Sequence, residues 1–528
     1  MEDQEYLNDP FSRRNFLKGV GGLTVAAGVM SFGSLEASAA PMAPKSGGTL
    51  RVGVVGSATD IIDGQYIVSK ADQARLKAGF ETLMTFNEKF EPVLTDGLAQ
   101  SVKAVSATKA VVKLKPGLKF HNGKAVTADD VIYSFSRLLD PSQTTTGKGL
   151  RAFLDVSGMV KKDNLTVEFN LKAPNVQFIR GFANYTWTIV PVGYTGGAAA
   201  NQIGTGPYVL QSFTPGRESV HVKNKNYWDK GKPYFDEVRI IDFADKSALV
   251  NALIAKQIDA AVDINFSDWD LLKSKKHIKV RESSSGGWLA MCMRVDTAPF
   301  NNVNVRRAMR LIVDRRQMVS QVLSGHGTVG NDLYGYVGDY NVANLPQRKQ
   351  DIKQAVELLK KAGYTKANPL VFDAHAPTDT GGLIAMVNAF AEQAKKTDGV
   401  VVVNPKITAT YWDDQYMIAP FHTTYWSGRT YLEQVTASID TYQETKWAPQ
   451  GSPFRAKFMQ ATGEVNAEKR KALIAELQKD EYENGGYIIP VFNNFGDAYL
   501  TKLQGVKDRP GQLNLDYYGH GFKNFWFA

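Results

Sequence analysis

Leu50, Val52 and Val54 alternate with Arg51 and Gly53 until the run breaks at Gly56-Ser57, which predicts a buried strand leading into a turn. Ala110, Val112 and Leu114 face one way with Lys113 and Lys115 opposite, up to Pro116-Gly117; Leu165, Val167, Phe169 and Leu171 alternate with Thr166, Glu168 and Asn170. Both patterns predict half-buried antiparallel strands. Between them, Thr127-Ala128-Asp129-Asp130 is a helix-capping signature, with Val131, Phe135 and Leu138 on one face and Pro141 as a stop. Further on, Val305, Met309, Ile312, Val319 and Leu323 recur at helical spacing up to Gly325, and Ile352, Val356 and Leu359 do so up to Gly363. The middle and later chain therefore alternates helix with strand, and no period of about 20 to 50 residues suggests a solenoid or propeller.

With 528 residues, 43% hydrophobic and 22% charged, the composition is globular and too long for one ordinary core, so two or three domains are expected. The single cysteine, Cys292, excludes an intrachain disulfide, a Cys-based zinc or iron-sulfur site and a lipid anchor near a processed N-terminus.

Ser12-Arg13-Arg14-Asn15-Phe16-Leu17-Lys18, the short Gly-rich apolar run Gly19 to Phe32 and the small residues Ala37-Ser38-Ala39 together resemble a twin-arginine export signal, residues 1–39. The run is shorter than the roughly 18 apolar residues that span a bilayer. Loss of this leader, with its three basic and five acidic residues, would raise the net charge from +9 to +11. The basic clusters Lys273-Ser274-Lys275-Lys276, Arg306-Arg307 and Arg315-Arg316 are short and stand in no nucleic-acid-binding pattern. They predict a solvated basic surface and no nucleic-acid partner.

Catalytic signatures are scarce. The seven histidines form no pair four apart, and no Gly-x-Ser-x-Gly elbow or Gly-Lys-Ser/Thr phosphate loop occurs. Gly325-His326-Gly327-Thr328-Val329-Gly330 matches the dinucleotide fingerprint literally, but it follows a helix where that motif needs a preceding strand, so Gly325 is expected to end the helix. Asp129-Asp130 stands where a helix N-terminus favours carboxylates and is assigned to capping.

The stretch Leu118-Lys119-Phe120-His121-Asn122-Gly123-Lys124, then Thr127 to Val131 and Tyr133-Ser134-Phe135, resembles the peptide/nickel type (family 5) of extracytoplasmic solute-binding proteins. The resemblance continues in order through Gly204-Thr205-Gly206-Pro207-Tyr208, Lys223 to Trp228, Pro299-Phe300, Val305 to Ala308, Asp314-Arg315, Ala355 to Gly363-Tyr364 and Gly486 to Pro490. It implies an α/β, two-lobed periplasmic binding protein of type II-like architecture with an inserted β-rich subdomain. Segments 45–87, 203–288 and 489–528 would form the main lobe, 88–202 the insertion and 289–488 the second lobe. The implied function is that of a soluble periplasmic subunit, monomeric and free of cofactors, capturing a peptide or peptide-like small molecule for an inner-membrane ABC permease and its ATPases. The alternative is a secreted hydrolase or transferase with dispersed catalytic residues.

In this family a Trp-x-Gly/Ala-Asp stretch holds the ligand's α-amino group. The matching stretch here is Tyr425-Trp426-Ser427-Gly428-Arg429-Thr430-Tyr431-Leu432-Glu433, with arginine at the carboxylate's place. A guanidinium fork suits a carboxylate or phosphate, which points to a ligand with an anionic group. Alternatively Arg429 packs on an aromatic neighbour or pairs with Glu433. The resemblance also offers Ser57 and Thr59 in the loop after the first strand, Tyr185 with Trp187 near the return from the insertion, Trp288 at the crossing into the second lobe, Trp412 in an aromatic run, and Asn493 with Asn494 near the hinge. Tyr425, Trp426, Gly428 and Tyr431 complete the expected ligand-binding set. His422 is the one histidine expected near the cleft, and as a lone imidazole it is assigned no metal.

Overall fold

The first strand, Thr49–Val55, buries Leu50, Val52 and Val54 completely, as their alternation predicts. The computed structural model describes residues 43–67, 69–142, 147, 149–196, 202–335, 338, 340–378, 380–507, 514–515 and 521–528. The expected export signal lies outside them. Thr49–Val55 pairs in parallel with Glu237–Phe243 and with the short strand Ala260–Ala261. The antiparallel strands Glu218–Lys223 and Tyr208–Thr214 extend this side of the sheet. Helices Lys70–Gly79 and Lys246–Ile254 cover it, and their buried residues join two apolar clusters with the strands.

The half-buried strands form a four-stranded antiparallel sheet in the order Ala99–Ser106, Lys109–Leu114, Thr166–Asn170, Met159–Lys161. Helix Ala128–Leu139 packs on it, with Asp130 accepting from the Thr127 backbone N–H at 2.9 Å in the predicted cap. Phe135 meets Phe169 edge-on at 5.0 Å between ring centres. This small sheet shares one continuous apolar core with the first lobe.

In the second lobe the central strands are apolar on both faces. Along Ile278–Met293, Trp288, Ala290 and Cys292 enter one cluster while Leu289, Met291 and Met293 enter another, the period-2 signature of a strand covered on both sides. Helices Val303–Ile312, Ile352–Lys361 and Gly381–Ala394 cover one face; Tyr431–Thr436, Pro453–Gly463 and Ala467–Asn484 cover the other. Leu370–Pro377 runs parallel to Val401–Thr408 and, through His375 opposite His422, to Phe421–Trp426. The helical run expected from Val305 to Leu323 is two helices. The first ends at Ile312, and Asp314 caps the second, Arg315–Leu323, by accepting from the Gln317 N–H at 3.1 Å. Gly325 follows this helix with φ +86°, its N–H donating to the Val319 carbonyl, and the next element is the strand Gly327–Val329. A dinucleotide fingerprint needs a helix there.

Two long antiparallel strands, Ile278–Met293 and Tyr487–Leu500, pass from one lobe to the other, pairing Ile278 with Leu500 at one end and Cys292 with Tyr487 at the other. Their register is interrupted between Ser284 and Gly287. Ser285 Oγ donates there to the Asn493 carbonyl at 2.6 Å and accepts from the Gly287 N–H at 2.9 Å, while Gly286 takes φ +65°. Such a bulge localises a bend, and a second register shift follows between Leu289 and Met291.

Candidate functional site

A cavity of about 470 Å³ lies between the Phe86–Trp187 part of the first lobe and the segment after strand Phe421–Trp426 in the second. That volume falls in the range of small-molecule sites. On the first-lobe side, Asn184 Oδ1 accepts from the Thr186 N–H and hydroxyl, each at 3.0 Å, and this turn presents Tyr185 and Trp187. A Cβ at Gly181 would stand 2.3 Å from the Trp187 ring, so glycine is required beside it. Burial pushes the Tyr185 hydroxyl pKa up, opposed by the positive charge of Arg429.

Trp426 ends its strand with Nε1 donating to both oxygens of Glu444, at 3.2 and 3.0 Å. The hydroxyls of Thr424, Tyr416 and Tyr487 each donate to the same carboxylate at 2.6 Å. Burial raises the Glu444 pKa while these donors pull it down. The indole is thus locked from behind. Gly428 packs on the interlobe bulge so closely that a Cβ would lie 2.5 Å from the Ser285 carbonyl oxygen. Arg429 follows, its guanidinium 4.9 Å from the Trp426 ring centre, with Nη1 3.4 Å from the Ser427 carbonyl and 3.5 Å from Gln434 Oε1.

Of the expected ligand-binding residues, Tyr185, Trp187, Trp426, Gly428 and Arg429 line this cavity, and the others do not. Ser57 and Thr59 lie on an exposed turn, their hydroxyls 2.8 Å apart; Asp60 anchors this turn to buried Arg75 at 3.1 Å. Trp288 is fully buried, stacked with Tyr334 and Trp426. Tyr425 points to the face of its strand opposite Trp426, is 54% exposed and meets Trp412 edge-on. Tyr431 is fully buried, stacked on Tyr334. Asn493 Nδ2 donates to Ser285 Oγ at 3.3 Å and Asn494 Nδ2 to Glu282 Oε1 at 2.6 Å, so both amides tie the interlobe strands together. His422, expected near the cleft, is buried within the second lobe with Nδ1 2.9 Å from the Ala419 carbonyl, and burial lowers its pKa to about 4.

Arg180, which sequence reasoning missed, faces the cavity from helix Phe178–Gly181. Its guanidinium lies 4.7 and 5.0 Å from the rings of Phe86 and Phe90, and Nη2 donates to the Phe90 carbonyl at 2.7 Å. Glu433 approaches from the second lobe, with Oε1 3.6 Å from Arg180 Nε and Oε2 accepting from the Thr430 N–H at 2.9 Å. Arg429 thus packs on an aromatic ring, while Glu433 spans the lobes to Arg180. Nearby, the Val176 N–H donates to the Thr462 carbonyl at 2.9 Å, a second bond between the walls. Among the described residues that line the cavity, the charged ones are Arg180, Arg429 and Glu433, and none is histidine or cysteine.

The model of the bacterial extracellular solute-binding proteins, family 5 (middle), matches residues 94–448. The chain is 28% identical over 347 residues to the oligopeptide-binding protein AppA of Bacillus subtilis, covering 62% of this chain and 61% of that protein. It is 26% identical over 299 residues to the heme-binding protein A of Haemophilus influenzae, covering 52% of this chain and 54% of that one. The matched stretches thus span about half to three fifths of these relatives. Among solved structures, the agropinic-acid complex of the periplasmic binding protein AgaA from A. tumefaciens R10 superposes with a TM-score of 0.72 at 19% identity, over 91% of this chain and 99% of that one.

Proposed function

Because the chain belongs to the family 5 bacterial extracellular solute-binding proteins, with their two-lobed α/β fold, we propose that it is the periplasmic substrate-binding subunit of an ABC importer. It captures a peptide-like small molecule bearing an anionic group. The observation that carries this reading is the interlobe cavity in which Arg429, set against Trp426, stands where the amine-binding carboxylate of peptide-binding relatives is expected. A guanidinium held against an aromatic wall offers a planar fork to a carboxylate or phosphate. The AgaA complex, with its small acidic ligand, is a precedent for such a solute on this fold. Tyr185, Trp426, Gly428 and Arg429 are the proposed ligand contacts, and the bulge at Ser285–Gly286 is the proposed hinge, dividing 45–87, 203–288 and 489–528 from 289–488 with 88–202 as the insertion. The working form is a monomer that delivers its ligand to a membrane permease. Among the described residues no helix is long and apolar enough to cross a membrane.

A solute at about 100 times its dissociation constant should stabilise the protein by about 2.7 kcal/mol, visible as a melting shift in a metabolite and peptide screen. Absence of any shift, together with turnover of peptides or esters, would favour the hydrolase reading instead. Export by the twin-arginine route is proposed from Arg13-Arg14. Arg13→Lys with Arg14→Lys should leave the protein in the cytoplasm, and normal periplasmic levels of the double variant would remove that part of the proposal.

A further inference from the structure

The cavity contains an opposed set of charges that an anion-binding role alone does not use. Arg180 is only 8% exposed, and its Nε has no hydrogen-bond partner among the described residues. The nearest carboxylate oxygen, Glu433 Oε1, lies at 3.6 Å, beyond hydrogen-bonding reach. The guanidinium cannot turn away to find another partner, because Phe86 and Phe90 flank it and the Phe90 carbonyl holds Nη2. Glu433 is equally constrained. Its Oε2 is engaged by the Thr430 N–H at the start of the helix, which leaves Oε1 facing Arg180 across the lobes. A buried donor without a hydrogen-bond partner and a partly exposed carboxylate oxygen therefore meet on one cavity wall with Arg429 on the same lining. An unpaired buried polar group is costly, so a ligand supplying the missing partners would be favoured at this point over bulk water.

The charge count narrows the ligand. Among the described residues, two guanidinium groups and one carboxylate give the lining a net charge of +1. A complementary solute carries two anionic groups and one cationic group, because a simple dianion would leave Glu433 facing like charge and a monocation would bring like charge up to both arginines. Building on the solute-binding reading above, we propose that the cavity selects an amino-dicarboxylate, with Arg429 and Arg180 receiving its carboxylates and Glu433 its ammonium group. A carboxylate thus stands four residues after position 429, at Glu433 in the first turn of helix Tyr431–Thr436, on the same lining. At rest Arg180 is the counter-ion of Glu433; on binding, Arg180 takes a ligand carboxylate and Glu433 takes the ligand's ammonium group.

Two probe scaffolds test this by isothermal titration: L-alanyl-L-glutamate and N-(1-carboxyethyl)-L-alanine, each as the free amino-dicarboxylate, the N-acetyl derivative and the diamide. Glu433→Gln removes the charge but keeps a side chain able to accept the Thr430 N–H, so circular dichroism and melting should match wild type. The wild type should bind at least one free form at least about tenfold more tightly than its N-acetyl and diamide derivatives. Glu433→Gln should erase the preference over the N-acetyl form and keep that over the diamide, and Arg429→Gln should do the reverse. Equal wild-type affinity for free and N-acetyl forms, or an undiminished preference in Glu433→Gln, overturns the assignment while leaving a ligand-binding protein. Failure of both free scaffolds to bind also overturns it, and the broader melting screen then decides separately whether the protein binds solutes.

Discussion

Gly428→Ala is a small change whose consequence follows from the geometry. The added Cβ would stand 2.5 Å from the Ser285 carbonyl oxygen and 3.0 Å from the Gly286 Cα and carbonyl carbon. A carbon–oxygen contact ordinarily settles near about 3.3 Å, so the overlap is about 0.8 Å. Every atom in the clash belongs to backbone, and no rotamer change can relieve it. Either the interlobe bulge yields, or the loop carrying Arg429 withdraws by that distance. Overpacking of this kind costs about 1–3 kcal/mol of stability. Withdrawal would also stretch a charge-assisted bond of about 2.8 Å from Arg429 to an anionic ligand to about 3.6 Å, past useful hydrogen bonding. Such a bond contributes about 1.5–3 kcal/mol, so affinity should fall by about ten- to a hundredfold. Differential scanning calorimetry and isothermal titration of the same preparation read both effects. A Gly428→Ala protein that melts and binds like wild type would refute the packing of this loop on the hinge.

Glu444→Ala should lower stability by about 3–5 kcal/mol, because it strands the hydroxyls of Thr424, Tyr416 and Tyr487 and the Trp426 N–H; a thermal melt within error of wild type would contradict this. Acid should destabilise the protein through His422 and His221, whose pKa values burial lowers to about 4 and about 3. The unfolded chain binds protons at these sites near pH 6.5, so the stability they contribute is present above that pH, is lost progressively as pH falls from about 6.5 towards the folded values, and changes no further below them. His422→Gln should remove about 3 kcal/mol of that loss, and denaturant melts between pH 7 and 4 that show no difference from wild type would refute the assignment.

Elements whose signals are local could be read in advance. The strand Thr49–Val55 declares itself by alternation, and the helix Ala128–Leu139 by its capping residues and one apolar face, because neither depends on distant partners. The break between Val303–Ile312 and Arg315–Leu323 was also written locally, in Asp314, but the helical spacing of apolar residues on either side concealed it. Strand parity could have improved the site: Tyr425 and Trp426 are adjacent in one strand and must face opposite sides, so only one could face the cavity. Arg180 and the second role of Glu433 had no such signal. Each is defined by a partner about 250 residues away that only the closure of the two lobes brings near.

In the proposed binding cycle, two lobes joined by the strands Ile278–Met293 and Tyr487–Leu500 close on a solute held at Arg429. Small-angle scattering with and without a saturating solute found in the melting screen tests it most directly. The radius of gyration should be smaller with solute, and Arg429→Ala should show no compaction at the same concentration. An unchanged scattering profile for the saturated wild type would contradict it.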